Sequence, residues 1–330
     1  MGLKTKAFRG VPERSYAAPV VNARLPTQSA PVRTSTWLLV LVPLCGLAEL
    51  GAHLAQVRGA VREDDLREAR ALVGTLEEDD VVVFAPRWLD QTGRAAFADA
   101  LSPAQGAPTD YQRYARAFEI GVRGAQEPDV AGWMVQWEKQ AGPLTVRLRH
   151  NRDYEPIRDA LFERVGTEKM QVSQSGRDCV LQRSNAQAGA WSPPVPAVRY
   201  NCAGGAVGTV VIPDLEYRLR RCVLIPAGPT PTRIRLIDVA FGRALRFAHG
   251  LHIEGERTRS GPPIELRVLV QTDSEDGVKD IELGRETHHD GEGWRAFEIT
   301  TPLAGQIGDL YLEVQSSAAK RPYCVEGFVR

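Results

Sequence analysis

The densest chemistry in the sequence lies in one short stretch, Pro86 to Arg94, where Arg87, Trp88, Asp90 and Arg94 follow an apolar run. Guanidinium forks match phosphate or carboxylate oxygens, and an indole can lie flat on a sugar ring. The four residues are therefore a candidate binding site for a phosphate or a sugar. They also admit a purely structural reading, an Arg–Asp pair that fixes the loop with Trp88 in the core. Asp110, Arg113, Arg116 and Glu119 recur every third residue, with Arg123 just beyond, and read as a solvated, mutually paired helix face. His249 and His252 fall in an extended segment and point to opposite faces, while His288-His289-Asp290 reads as an exposed turn. Trp191, Trp294 and Tyr323 could form a sugar-stacking platform, although Trp294 heads an alternating strand and reads as core.

None of these spacings matches a metal template, and neither a nucleophile elbow, a phosphate loop, a dinucleotide fingerprint nor a zinc-protease motif occurs. No catalytic residue, metal or cofactor is assigned. A binding or accessory role is expected ahead of an enzyme. If there is chemistry on carbohydrate or lipid-linked sugar, Asp90, Arg87 and Arg94 are its candidates; the third option is a purely structural envelope protein.

Lys+Arg and Asp+Glu balance at 41 each, which argues against nucleic acid as a partner. The sum hides a local asymmetry, because residues 1–36 carry six basic residues and the single acid Glu13. Directly behind this tail comes WLLVLVPLCGLA, twelve residues without a charge. The 22 residues from Thr34 to Ala55 would reach about 33 Å as a helix, enough for a hydrocarbon core of about 30 Å. A transmembrane signal-anchor helix is expected over 34–56, behind a disordered basic cytoplasmic tail over 1–33. Basic residues stay inside, so everything from about residue 57 is expected to be extracytoplasmic. Glu49 and His53, four apart, would share one helical face near the headgroups, available to a membrane-protein partner or a polar lipid.

Cys45 lies in that span and Cys179, Cys202, Cys222 and Cys324 beyond it. Four cysteines in an oxidising compartment suggest two disulfides, with three possible pairings. Cys179 with Cys202 and Cys222 with Cys324 is the favoured set, closing the Trp191-Ser192-Pro193-Pro194 loop and joining an early strand to the last one.

These residues need elements to hold them. Val61 to Leu76 has helical spacing, and Val81 to Phe84 reads as a strand buried on both faces. Helices are expected at Gly93 to Leu101, Asp110 to Val122, Asp129 to Gln140 and Pro156 to Val165, with a half-exposed strand at Leu144 to Leu148. Residues 58–165 thus read as a small α/β layer domain. From Gly166 the chain offers about eleven short strands, the clearest being Arg233 to Phe241, Ile264 to Gln271 and Asp309 to Gln315, and including one at Gly250 to Glu254. Residues 166–330 read as an antiparallel β-sandwich, and the fold class is α+β.

Two resemblances follow. The Arg233–Phe241 strand, the Gly250 turn, IELRVLV, the bend at Gly291 to Gly293, WRAFEI and DLYLEV resemble galactose-binding-like jelly-roll modules over roughly 110 residues. That resemblance implies a carbohydrate-binding, docking or spacer module. The amphipathic helix and DDVVVFAP, behind a membrane helix, resemble the start of extracytoplasmic regions of multi-spanning glycosyltransferases that use lipid-linked sugar donors. Those enzymes keep catalysis between many membrane helices, so this second resemblance implies only an accessory or sensing role here.

Overall fold

The structure is a computed structural model that describes residues 41–51, 60–183, 196–274, 277–318 and 320–330. Two compact units divide it, one ending at Arg58 and the other running from Gly59 to Arg330.

In the first unit residues 41–51 are helical, and Leu41, Val42, Leu44, Leu47 and Leu50 are 51–68% exposed. Glu49 and Cys45 are exposed on the same stretch. Among the described residues no helix is long and apolar enough to cross a membrane. The remainder of 34–56, His53, the tail over 1–33 and the segment Trp191 to Pro194 lie outside the described residues.

The second unit opens with α1 (Glu63–Val73), whose first turn is acidic and whose last carries Arg70, the charge order a helix dipole favours. Leu66, Ala69 and Val73 form its buried stripe. β1 (Asp80–Ala85) is buried throughout and pairs in parallel with β2 (Arg116–Val122). β2 then pairs antiparallel with β4 (Leu144–His150), and β4 with the edge strand β3 (Met134–Ala141). Both faces are covered at β1, β2 and β4, as the continuous apolar run of β1 requires, while the edge strand β3 is largely exposed. Val82 and Phe84 pack with α1 and α2 (Leu89–Ala96), while Val81 and Val83 pack with Tyr111, Tyr114 and Val130 on the opposite face. α2 lies close on β1 because Gly93 has no side chain: a Cβ there would sit 2.3 Å from the Phe84 ring.

Several expected helices are not helices. Asp110 to Val122 is a 3-10 turn at Tyr111–Arg113 followed by β2, and Asp129 to Gln140 is the short α4 (Pro128–Ala131) followed by β3. The short α3 (Pro103–Gly106) precedes them. Pro156 to Val165 yields a two-residue strand β5 (Asp159–Ala160) and one turn, α5 (Leu161–Arg164). β4 is buried on both faces rather than one. The reason is charge neutralisation: Glu119, Arg147 and Arg149 occupy the second face, where Arg149 Nε donates to Glu119 at 2.9 Å and Arg147 Nε to Glu138 at 2.6 Å.

The rest of the unit is a β-sandwich with few helices. Its strands are β6 (Met170–Gln174), β7 (Arg177–Asp178), β8 (Val180–Arg183), β9 (Val198–Cys202), β10 (Gly205–Pro213), β11 (Leu219–Ala227), β12 (Thr232–Ala240), β13 (Ala244–Leu251), β14 (Ile264–Ser274), β15 (Gly277–His288), β16 (Arg295–Thr300), β17 (Ile307–Ser316) and β18 (Arg321–Val329). One sheet runs β16-β13-β18-β11-β10-β9-β8, with β5 on β18, and the other β15-β14-β17-β12-β6-β7. Numbering β11 to β18 from first to eighth gives sheet orders 1-8-3-6 and 2-7-4-5, the strand order of a jelly roll. Between the sheets lies one core, containing Ile225, Ile234, Leu245, Leu266, Val268, Leu312, Val314 and Tyr323. The segment Gly250 to Glu254 is not a strand of its own; it is the end of β13 and the start of α6 (Ile253–Thr258).

Both disulfides form as favoured. Cys179 bonds Cys202 across the β8–β9 hairpin, and Cys222 in β11 bonds Cys324 in the neighbouring β18.

Candidate functional site

A polar cleft of about 340 Å³ lies where the four-stranded layer meets the jelly roll. The layer supplies Arg87, at the carboxyl end of β1, and Asp129, in α4 beyond the carboxyl end of the parallel neighbour β2. Thr109, Asp110 and Tyr111 enter from the turn before β2. The jelly roll supplies Glu216 and Arg218 from the β10–β11 connection, Arg220 from β11, Arg246 from β13, Glu292 to Trp294 from the approach to β16, and Arg295 from its start.

Each wall is held by local chemistry. Asp214 closes the β10–β11 turn by accepting the backbone N–H groups of Glu216 and Arg218, both at 2.9 Å, while its other oxygen accepts from Arg220 Nε at 2.9 Å. Arg220 also donates to Pro108 O at 3.1 Å, and Trp294 Nε1 to Thr109 O at 2.7 Å, so the seam is tied by directed bonds. On the layer side, Glu119 accepts the Glu127 N–H at 2.7 Å and so fixes the loop that bears Glu127 and Asp129.

Every guanidinium lining the cleft has a carboxylate partner. Arg87 contacts Glu216, Arg246 contacts Asp110, Arg218 bonds Glu127 and lies 3.4 Å from Asp129, Arg220 bonds Asp214, and Arg295 bonds Glu292 at 2.8 Å. Arg218, Arg220, Asp110, Asp214 and Glu127 are buried. Charges buried at such depth persist only when paired and hydrogen-bonded. Burial pushes the Tyr111 phenol above its ordinary range against the pull of Arg220 and Arg218, which keeps a neutral hydroxyl group in the cleft. The indole of Trp294 lines the cleft and also packs on Val210, Ile212 and the Cys222–Cys324 pair, so it serves wall and core together.

One buried residue sets the floor. Glu256 in α6 accepts the N–H groups of Gly291 at 2.7 Å, Gly293 at 3.3 Å and Leu251 at 3.0 Å, and its Oε1 lies 2.9 Å from His288 Nε2. Burial alone would raise its carboxyl pKa, but the His288 hydrogen bond, the backbone donors and the His288 charge outweigh it and hold the group below the ordinary range. Gly291 and Gly293 have φ of 90° and 68°, a conformation that glycine adopts without strain, and between them they aim Glu292 and Trp294 into the cleft. Replacing Glu256 with Ala would leave four donors without an acceptor. The expected loss is about 3–5 kcal/mol, checked by urea unfolding, with Glu256→Gln losing less because its amide oxygen still accepts.

The four residues singled out in the sequence are not one constellation. Arg87 faces the cleft. Trp88 is 64% exposed in a separate groove between α1 and α2, beside Val61, Leu66 and Thr92. Asp90 and Arg94 are buried behind them, joined at 2.9–3.0 Å, with Arg94 Nη1 also donating to Gln105 O at 2.8 Å. The Asp110 to Glu119 set is paired but not a solvated face: Arg116 bonds Asp80 at 2.6 Å, Arg113 bonds Glu163 at 3.0 Å, and Glu119 is wholly buried. His288 is likewise buried rather than exposed, with its ring 5.3 Å from that of His249. Among the described residues no group of three His, Cys, Asp or Glu could hold a metal.

Sequence reasoning missed Arg218, Arg220, Arg246 and Arg295. Arg218 and Arg220 follow a Pro-Asp turn signal, but their partners across the seam, Glu127 and Pro108, lie 91 and 112 residues away in sequence.

No family model and no curated protein matches the chain. Solved structures similar over part of it include the C-terminal family 22 carbohydrate binding module of Clostridium thermocellum Xyn10B, at 8% identity, TM-score 0.28, 52% of this chain and 91% of that one. A xylan-binding module, CBM15, gives 7% identity, TM-score 0.25, and 52% and 96% coverage. A non-crystalline cellulose specific module, CBM28, gives 10% identity, TM-score 0.24, and 43% and 86%. None of these comparisons supports the glycosyltransferase resemblance of residues 60–90. Likeness at this level decides neither ligand nor fold; the fold rests on the strand order, and the site on the cleft.

Proposed function

We propose that the chain is a glycan-binding accessory module of a cell envelope, with its binding site in the cleft between the α/β layer and the jelly roll. The observation that carries this is the set of planar polar side chains held in fixed orientations around an indole at a solvent-open seam. Fixed guanidiniums and carboxylates can meet ring hydroxyls as donors and acceptors, and an aromatic wall supplies the apolar contact a sugar face needs. The cleft is of the size, about 300 Å³ and above, that small-molecule sites have.

The N-terminal segment is read as the anchor, with residues from about 57 onward outside the cytoplasm. Supporting it are the uncharged run from Trp37 to Ala48, the basic residues before it, and the exposed leucines of 41–51, which have the character of a lipid-facing helix. The two disulfides suit an oxidising compartment.

The full chain should be retained on isolated envelope polysaccharide. The double variant Arg87→Ala/Arg295→Ala should weaken that binding by about tenfold, equivalent to ~1.4 kcal/mol, while unfolding at nearly the same denaturant concentration. Unchanged retention would remove the cleft as the site. Extraction of the chain from membranes by alkaline carbonate would remove the anchor.

A further inference from the structure

We infer that the cleft selects a neutral, hydroxyl-rich ligand and disfavours anionic ones; this rests on the glycan-binding reading of the same cleft. A wall carrying several arginines would ordinarily suggest a phosphate, sulfate or uronate site. Here each of those arginines already holds a carboxylate, and each lining carboxylate already holds an arginine. An anion accepts but does not donate, so to reach a guanidinium it must displace an acid and leave that acid uncompensated beside it. A cation meets the mirror-image obstacle.

A hydroxyl group does not. It accepts from the guanidinium and donates to the carboxylate at once, and so bridges an ion pair without breaking it. The pairs at the mouth are the ones a ligand meets first: Arg87 and Glu216 are 48% and 41% exposed, and Arg295 and Glu292 are 43% and 31% exposed. The deeper pairs are closed, with Arg220 and Asp214 at 6% and 2%. The walls therefore present matched charge from mouth to floor. Selectivity against anions comes from the acid of each pair, and Glu216 is the one whose removal exposes an arginine without disturbing the core.

The test uses the full chain and three sets of probes: neutral gluco-, xylo- and manno-oligosaccharides, the corresponding uronic-acid oligosaccharides, and sulfated ones, each at low and at several-fold higher salt. Neutral probes should bind with affinities that change by less than about twofold with salt, and their uronate counterparts no more tightly, because matched pairs leave no net field for salt to screen. Glu216→Gln should raise affinity for the uronates about two- to fivefold relative to the neutral set and introduce salt dependence, the scale of one partly exposed ion pair. Tighter, salt-dependent binding of uronate or sulfated probes to the unaltered chain overturns this selectivity and leaves the glycan-binding reading standing. Failure of every probe to bind overturns both.

Discussion

Loss of the Cys222–Cys324 disulfide is expected to destabilise the folded chain by about 4–5 kcal/mol. The bond closes 102 residues, and the entropy removed from the unfolded chain by a loop of that size is worth about 4.7 kcal/mol. The Cys179–Cys202 bond, across 23 residues, is worth about 3 kcal/mol by the same relation. The two also differ in access. Cys222 and Cys324 are fully buried beneath Trp294, whereas Cys179 and Cys202 are only partly buried on a hairpin at the sheet's edge. Under mild reductant the hairpin thiols should label first, with the smaller of the two falls in unfolding midpoint, the equivalent of about 3 kcal/mol. The buried pair should label only with stronger reductant or denaturant, and the midpoint should then fall steeply. Simultaneous labelling of all four, or equal losses from Cys179→Ala/Cys202→Ala and Cys222→Ala/Cys324→Ala, would contradict this.

Acid should weaken the fold through His249. Burial pushes its imidazole from 6.5 down to about 3, with the positive charges of His288 and Arg295 adding and Glu292 and Glu256 opposing. Both ring nitrogens are buried without a partner, and the ring is enclosed by His288, Phe297 and Tyr323. The folded protein therefore refuses a proton that the unfolded chain accepts. Stability is complete above pH 6.5 and falls as pH drops from 6.5 toward 3, by about 1.4 kcal/mol per pH unit and on the order of 4–5 kcal/mol in all. Urea unfolding at pH 7 and near pH 4.5 should show about 2–3 kcal/mol of this loss. His249→Leu removes the titrating group, so the difference between the two pH values should shrink by the same amount; an unchanged difference would show that other groups carry the acid response.

How far the sequence revealed this architecture depends on what kind of pattern each element left. In the jelly roll, Ile264, Leu266, Val268 and Val270 alternate because one face meets the core, and period two is unambiguous there. Tyr111, Tyr114 and Phe118 misled because their spacing fits one face of a helix. In the fold Tyr111 and Tyr114 lie in a turn and Phe118 in a strand buried on both sides, where alternation vanishes. Val130, Trp133, Met134 and Trp137 misled in the same way across a four-residue helix and an edge strand. β15 was hidden by its polar composition, since an edge strand of the sandwich needs few apolar residues. The disulfides were legible because four cysteines lie beyond the apolar run, and the favoured pairing closes one short loop and joins an early strand to the last one. Of the cleft, Arg87 and its place after a buried strand, and Trp294 as an indole able to stack on a sugar, could be read; the remaining partners come together through the packing of two layers, which leaves no spacing in the chain.

β18 is the last strand of the jelly roll in chain order, yet it lies inside its sheet, hydrogen-bonded to β11, β13 and β5. It brings Tyr323, Val325 and Val329 to the core and half of the buried disulfide. A chain that emerges from its N-terminal end, whether from a ribosome or through a translocation pore, cannot close this sandwich until that strand arrives. Up to that moment β11 and β13 are two open edges with a gap between them, the form in which the chain is most exposed to aggregation and proteases. Arrival of β18 thus closes the sandwich, and the same step brings Cys324 to Cys222, so oxidation of that pair marks closure of the sheet rather than directing its start.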